Sequence, residues 1–441
     1  MKTLLTTEEY RYGVKALVRY WPHREEIILQ LPIPQVQLEL LRDLSLQSLP
    51  PQLKLVELPD WAREIGVEGK LLVPAHLILE QKGVPWQQTD WLAVIFWYLS
   101  GLAEQAFEQR YGPIHSYSFR LKGWDSRLWE RAWVNRIALF LRRWAAREQG
   151  ISEESLFGAL PQPEVILTHD VDAVTKTTAI RLKQTVFHLF GAVRNFSQGK
   201  LSASWKKLLK AGAFFISQDN YWYFDTITAL EAKYGVRSYF NIYGGLASKL
   251  NFKKLLIDPS YDVHELRLKQ QLQAMHARGW KIGLHQSSAA WEDAALMQQE
   301  RQQVEAALEF PVTSCRQHWL YFSWEKTWQA QQAAGLRLDS TLGFNNRSGF
   351  RTGAALRYCP WNIESQSPMS LEMIPMVLMD SHLYDYGDLE DNQRRQEMRY
   401  WIEEIYQVKG TASVIWHQRV MSPDYDWYQS YQNLLDYLKV D

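Results

Sequence analysis

The sequence predicts an α/β chain built as a distorted (β/α)7-type barrel, preceded by a smaller, mostly helical α+β domain. Three observations carry this. After about residue 164, short apolar runs alternate with amphipathic helical stretches, the pattern of parallel β/α units. Seven such runs suggest a barrel or barrel-like sheet rather than two Rossmann halves, and no G-x-G-x-x-G or G-x-x-x-x-G-K-[ST] follows any of them, so nucleotide phosphate binding has no support. The first 150 residues lack this alternation and carry strong helical periodicity instead. At 441 residues, two to three domains are expected: 1–150, a linker at 151–164 where Pro161 and Pro163 end any helix, and 165–441.

In the N-terminal part, helices are expected at about 88–108 and 125–148. In the second, Trp129, Trp133, Ile137, Leu141 and Ala145 recur every four residues as a packing face, with Arg127, Glu130, Arg131, Arg142 and Arg143 on other faces. The Pro-punctuated stretches at 31–40 and 49–59 read as short strands or extended connections. Trp91 to Ala106 is the most apolar stretch; it is shorter than the ~20 residues a bilayer requires, contains Glu104, and reads as a buried helix. Strands are expected at 165–168, 238–242, 281–284, 312–315, 336–338, 373–379 and 413–416. Helices are expected at 263–278, 293–309, 324–334, 392–408 and 427–438, with a helical insertion at about 175–235.

Composition narrows the function classes. Forty-nine basic residues balance forty-nine acidic ones, which leaves no net electrostatic footprint for nucleic acid or an anionic membrane surface. The first twenty residues lack the apolar core of a secretory signal, so the expected compartment is the cytoplasm, with Cys315 and Cys359 reduced. Twenty Trp, 22 Tyr and 17 Phe suit an aromatic core and also sugar-stacking surfaces.

In a parallel barrel, catalytic groups project from the C-terminal ends of strands. The runs are followed by His169-Asp170-Val171-Asp172, His285-Gln286, Arg316-Gln317-His318-Trp319, Asp339-Ser340, Asp380-Ser381-His382 and His417-Gln418. Five of the eleven histidines occupy these ends. Period-two spacing puts Asp170 and Asp172 on the same side of their strand, one able to hold a metal while the other accepts a proton. Arg316 is a candidate partner that keeps an aspartate charged. Taken singly, His285 and His417 read equally well as core histidines, and Asp339 and Asp380 as loop caps.

The ordered set over about 160–441 resembles the polysaccharide deacetylase, or NodB-homology, domain of carbohydrate esterase family 4. THDVD at 168–172, GLHQSSA at 283–289, CRQHW at 315–319, LDSTLGF at 338–344 and VIWHQ at 414–418 are similar to its five motifs in order, and residues 1–150 more loosely resemble an uncharacterised domain appended in one bacterial subgroup. The resemblance implies Asp170 as base, Asp172 and His285 as ligands of a divalent metal such as zinc, Arg316 orienting the base, Asp339 in the fourth motif and His417 protonating the leaving amine. Ala289 stands where the family carries a second His; Ser287, Ser288, His318 or a water could take its place. Trp319, Asp380 and Trp416 are candidate substrate contacts. The implied activity is removal of N-acetyl groups from an amino-sugar glycan or its precursor. Its rivals are a non-catalytic glycan-binding scaffold, a metal-independent amide hydrolase, and a glycosidase pairing Asp170 with Asp339 or Asp380. Oligomeric state is not encoded in any recognisable motif.

Overall fold

A computed structural model describes residues 7–35, 49–79, 83–245, 257–387 and 389–438. Part of the expected extended stretch at 31–40 lies outside them. The main sheet has eight strands: β3 (Glu164–Val171), β4 (Tyr239–Tyr243), β5 (Lys281–Gln286), β6 (Ser314–Gln317), β7 (Leu338–Asp339), β10 (Glu372–Met373), β11 (Met376–Met379) and β12 (Thr411–Ile415). Their order is β10-β7-β6-β5-β4-β3-β12-β11, with parallel pairing. Two antiparallel hairpins stand apart, β1 (Leu53–Glu57) with β2 (Lys70–Pro74), and β8 (Trp361–Asn362) with β9 (Ser367–Pro368). The α/β barrel class expected from the sequence is the one observed.

The expected strand at 373–379 is divided in two. Pro375 cannot donate to a ladder, and the chain turns from one neighbour to the other there. Ile374 N donates to Asp339 O at 2.8 Å on the β7 side, while Pro375 O accepts from Ser413 N at 2.8 Å on the β12 side. One segment therefore borders both ends of the strand order, which is how seven apolar runs yield eight strands.

The chain divides into two compact units. The first comprises Met1–Ile166, Trp291–Ala294 and Trp319–Val414. Here α1 (Thr7–Ala16), α2 (Trp91–Leu99), α3 (Leu102–Tyr111) and α4 (Trp133–Glu148) form the helical part. All nine residues of α2 are buried, as its apolarity requires, and Asp90 caps it by accepting from Ala93 N at 3.0 Å. The expected 88–108 helix breaks at Gly101, whose φ of +61° suits glycine and whose missing side chain leaves room for the Trp324 ring. The Trp129–Ala145 stripe is buried as expected. Arg142 is buried too, because its guanidinium caps the carbonyls of Tyr20, Glu153 and Gly158. Those last two carbonyls flank a short helix, Glu153–Phe157, inside the expected linker.

The second unit comprises Leu167–Ala290, Ala295–His318 and Ile415–Asp441. The insertion after β3 consists of α5 (Thr178–Ser197), α6 (Leu201–Ile216) and α7 (Phe224–Lys233), followed by α8 (Leu266–Ala277), α9 (Ala294–Leu308) and, at the C-terminal end, α12 (Tyr428–Leu438). Two further helices, α10 (Thr327–Ala333) and α11 (Asp391–Gln407), fall in the first unit. No helix among the described residues is long and apolar enough to cross a membrane.

Candidate functional site

The second unit gathers most of the predicted site. On β3 the strand's alternation sorts the motif into two faces. Thr168 and Asp170 share one face, where Arg316 Nη1 reaches Thr168 Oγ1 at 2.6 Å and Asp170 Oδ1 at 3.2 Å. His169 takes the other face and enters a buried network: Nδ1 donates to Trp416 O at 2.6 Å and Nε2 meets Glu231 Oε1 at 2.8 Å. Of the strand-end histidines, then, His169 builds the core.

Asp170 is almost wholly buried. Burial alone would raise its carboxyl, but Arg316, His285, His417 and the Asn241 amide outweigh it and hold the carboxyl below its ordinary range. Asn241 Nδ2 donates to the same Oδ1 at 2.8 Å, so both bonds fall on one oxygen. Gly283 on β5 makes space for this: a Cβ there would sit 2.6 Å from Asn241 Oδ1.

Asp172, one residue beyond β3, lies at the centre of a charged cluster. Its Oδ1 is 3.3 Å from His285 Nε2 and 3.7 Å from His318 Nε2; its Oδ2 is 3.6 Å from His417 Nε2 and is bonded by Arg419 Nη1. Burial works against its charge, yet Arg419 and the three histidines hold it well below the usual carboxylate range. One ligand atom from each of Asp172, His285 and His318 lies within 4.8 Å of the others, the one such group among the described residues.

The donor set fits a divalent metal. His285 Nδ1 donates to Arg316 O at 3.0 Å, and His318 Nδ1 to Asp258 Oδ1 at 2.9 Å, so each ring is fixed with its Nε2 toward Asp172. Burial would lower the His285 imidazole, but Asp170 and Asp172 outweigh it and hold it above its ordinary value. Buried Asp172 Oδ1 and His285 Nε2 complete no hydrogen bond, as expected of atoms shaped for coordination. Burial pushes the His318 imidazole below its ordinary value despite Asp258 and Asp172, which favours the neutral, ligating form. One carboxylate and two imidazoles suit zinc or another first-row divalent ion. Ala289 is exposed, and the third candidate ligand, His318, follows the end of β6.

Asp258 is bound in turn by Ser288 N at 2.8 Å and Ser288 Oγ at 3.1 Å. Replacing Asp258 by Asn is therefore expected to weaken metal affinity by about 10–100-fold. Competition titration against a chromophoric chelator reads this, and an unchanged affinity would remove Asp258 from the site.

The remaining predicted residues are placed differently. Trp416 is fully buried, its ring 5.5 Å from that of Tyr431, and it packs rather than faces a ligand. Asp339, Asp380 and Trp319 belong to the first unit. Asp339 is buried and accepts from Trp328 Nε1 and Gln331 Nε2, each at 3.0 Å, and from Thr341 Oγ1 at 2.5 Å, an engagement that anchors its loop. Asp380 is buried; Trp319 is half-buried with φ +58°, its carbonyl accepting from Ser116 Oγ at 2.9 Å. Sequence reasoning missed Arg419 and Asp258. Arg419 lies two residues past His417, within reach of the same motif; Asp258 follows no strand and carries no local signal.

No protein-family model matches this chain, and no curated protein matches it. Solved structures similar to it include a candidate polysaccharide deacetylase from Mycobacterium smegmatis, 14% identical, covering 63% of this chain and 84% of that one at a TM-score of 0.38. A mutant of a CE4-family pseudoenzyme with restored enzymatic activity is 11% identical, covering 66% and 69%, at 0.31. The Xyl-CE4 domain of a multidomain xylanase from the hindgut metagenome of Trinervitermes trinervoides is 9% identical, covering 63% and 83%, at 0.29. At these values, the chemistry of the site rests on its own residues.

Proposed function

We propose that this protein is a metal-dependent amidohydrolase that removes N-acetyl groups from an amino-sugar glycan or glycan precursor. The observation that carries the reading is the pairing of an ionised, Arg316-bound Asp170 with the Asp172, His285 and His318 cluster. A divalent ion held by those three residues would supply Lewis acidity toward the acetamide oxygen and toward a nucleophilic water. Asp170 accepts the proton of the attacking water, and Arg316 keeps it charged for that task. As water adds and the C–N bond breaks, His417 delivers a proton from its ring to the departing amine nitrogen. It stands at the same cluster, 3.6 Å from Asp172. Arg419 occupies Asp172 Oδ2, so that Oδ1 faces the two histidines.

Ala289 is the observation behind the non-catalytic scaffold reading; the position of His318 beside Asp172 and His285 supports the metal-holding one. The test is metal content by mass spectrometry together with acetate release from N-acetylglucosamine oligomers. Wild type is expected to carry one zinc, iron or cobalt per chain, and His285→Ala and Asp172→Ala to lose it. A wild-type protein that is empty and takes up no added zinc would overturn the reading.

A further inference from the structure

The insertion after β3 presents an unusual surface. Residues 173–218 contain eight Lys or Arg and no Asp or Glu. Among the described residues, thirteen of the twenty-one large apolar side chains that are exposed lie between Leu182 and Ile216. Val186, Phe190 and Val193 recur at helical spacing along α5 and are 63%, 68% and 67% exposed; Trp205 and Ile216 on α6 are 64% and 74% exposed. The residues these two helices bury are instead Ala192, Ser204 and Ala211, with Ser204 Oγ donating to Ala192 O at 2.8 Å, together with His188, Asn195 and Phe214. The large apolar side chains thus stay mostly outside, uncovered by the hairpin's own packing.

We propose that the α5–α6 hairpin docks this protein on an anionic lipid bilayer, lying in the interface with its apolar faces in the acyl boundary and its lysines and arginines at the headgroups. The charge selects this occupant. A second copy would set one all-basic surface against another, whereas an anionic leaflet complements it. Neither helix is long and apolar enough to cross, so the hairpin lies on the membrane.

The hairpin is tied to the site at its root. Lys176 Nζ donates to Phe214 O at 2.6 Å and to Ser217 Oγ at 2.5 Å, closing the hairpin's base, and to Asp424 Oδ2 at 2.7 Å, five residues beyond Arg419. Docking therefore tethers to the lipid surface the unit that carries the Asp172 cluster. Resting on the amidohydrolase reading above, this makes the substrate class an N-acetylated glycan carried on a lipid.

The experiment is co-sedimentation of the full chain with sucrose-loaded vesicles of pure phosphatidylcholine or of equal parts phosphatidylcholine and phosphatidylglycerol. Binding is expected to the anionic vesicles only and to weaken with salt. Val186→Ser/Phe190→Ser/Trp205→Ser and Lys206→Glu/Lys207→Glu/Lys210→Glu are each expected to lower partitioning by at least about tenfold. These are surface positions, so circular dichroism melts should be unchanged. No binding to anionic vesicles, or binding indifferent to both variants, would overturn the docking. So would a dimer in sedimentation equilibrium that the triple Ser variant disperses. Acetate release faster from a lipid-linked N-acetylated sugar than from soluble oligomers supports the substrate class. Equal rates overturn that class alone; release from neither substrate overturns the amidohydrolase reading while docking stands on its own measurement.

Discussion

Replacing Asp170 by Asn is expected to cut turnover of an N-acetylated substrate by about 10²–10⁴-fold, the usual worth of a positioned general base. The substitution keeps the volume of the side chain and an oxygen to accept from Arg316 Nη1 and Asn241 Nδ2, which now bond Oδ1 at 3.2 and 2.8 Å. Fold and metal content should therefore survive, which separates loss of the base from loss of the site. Steady-state kinetics with metal quantified on the same sample makes the distinction. Full turnover in a metal-replete Asp170→Asn protein would take the base role away from this residue.

The second large effect concerns stability. Glu231 is fully buried and accepts from His169 Nε2 at 2.8 Å, Tyr431 Oη at 2.6 Å, Ser238 Oγ at 2.8 Å and Trp280 Nε1 at 2.5 Å. Glu231→Ala strands four buried polar groups at once and is expected to destabilise by about 3–5 kcal/mol, read as a lowered midpoint in denaturant unfolding. A loss below about 1 kcal/mol would mean that water or repacking satisfies these groups. Burial would raise the Glu231 carboxyl, but the bonds from His169, Tyr431 and Trp280 hold it below its ordinary value. With the folded value depressed, the carboxylate's contribution is complete above the unfolded value of about 4.3 and is lost as pH falls through the folded one. The stability gap between wild type and Glu231→Gln should accordingly narrow on acidification below pH ~4.

These two residues show where the sequence was legible. Asp170 was readable because chemistry and spacing coincide: two carboxylates two apart at the end of an apolar run, with an arginine at the end of another. Glu231 was not, since a glutamate inside an amphipathic helix looks like a solvated face until its burial is known. His169 was readable as a strand-end histidine, but alternation on β3 turns it toward Glu231 and away from Asp170. Arg316 was expected after its strand and lies within it, because β6 spans Ser314–Gln317 rather than ending at Cys315.

What the sequence determined by itself is the local grammar: the alternation of strands and helices, the buried α2, a helical insertion after the first barrel strand, and the identity of Asp170, Asp172, His285, Arg316 and His417 as residues at strand ends. Only the tertiary structure places His318, one of the candidate substitutes for a ligand at Ala289, beside Asp172 and His285. The order β3-β4-β5-β6 brings Asp172, His285 and His318 within 4.8 Å although each is separated from the next by more than thirty residues. It also decided that Arg419 holds one oxygen of Asp172, and that Pro375 splits one apolar run between two neighbours. The physical reason is the range of the forces. Periodicity and propensity act over a few residues and leave a local record, whereas coordination distances and buried ion pairs arise from segments that meet only when the sheet is assembled.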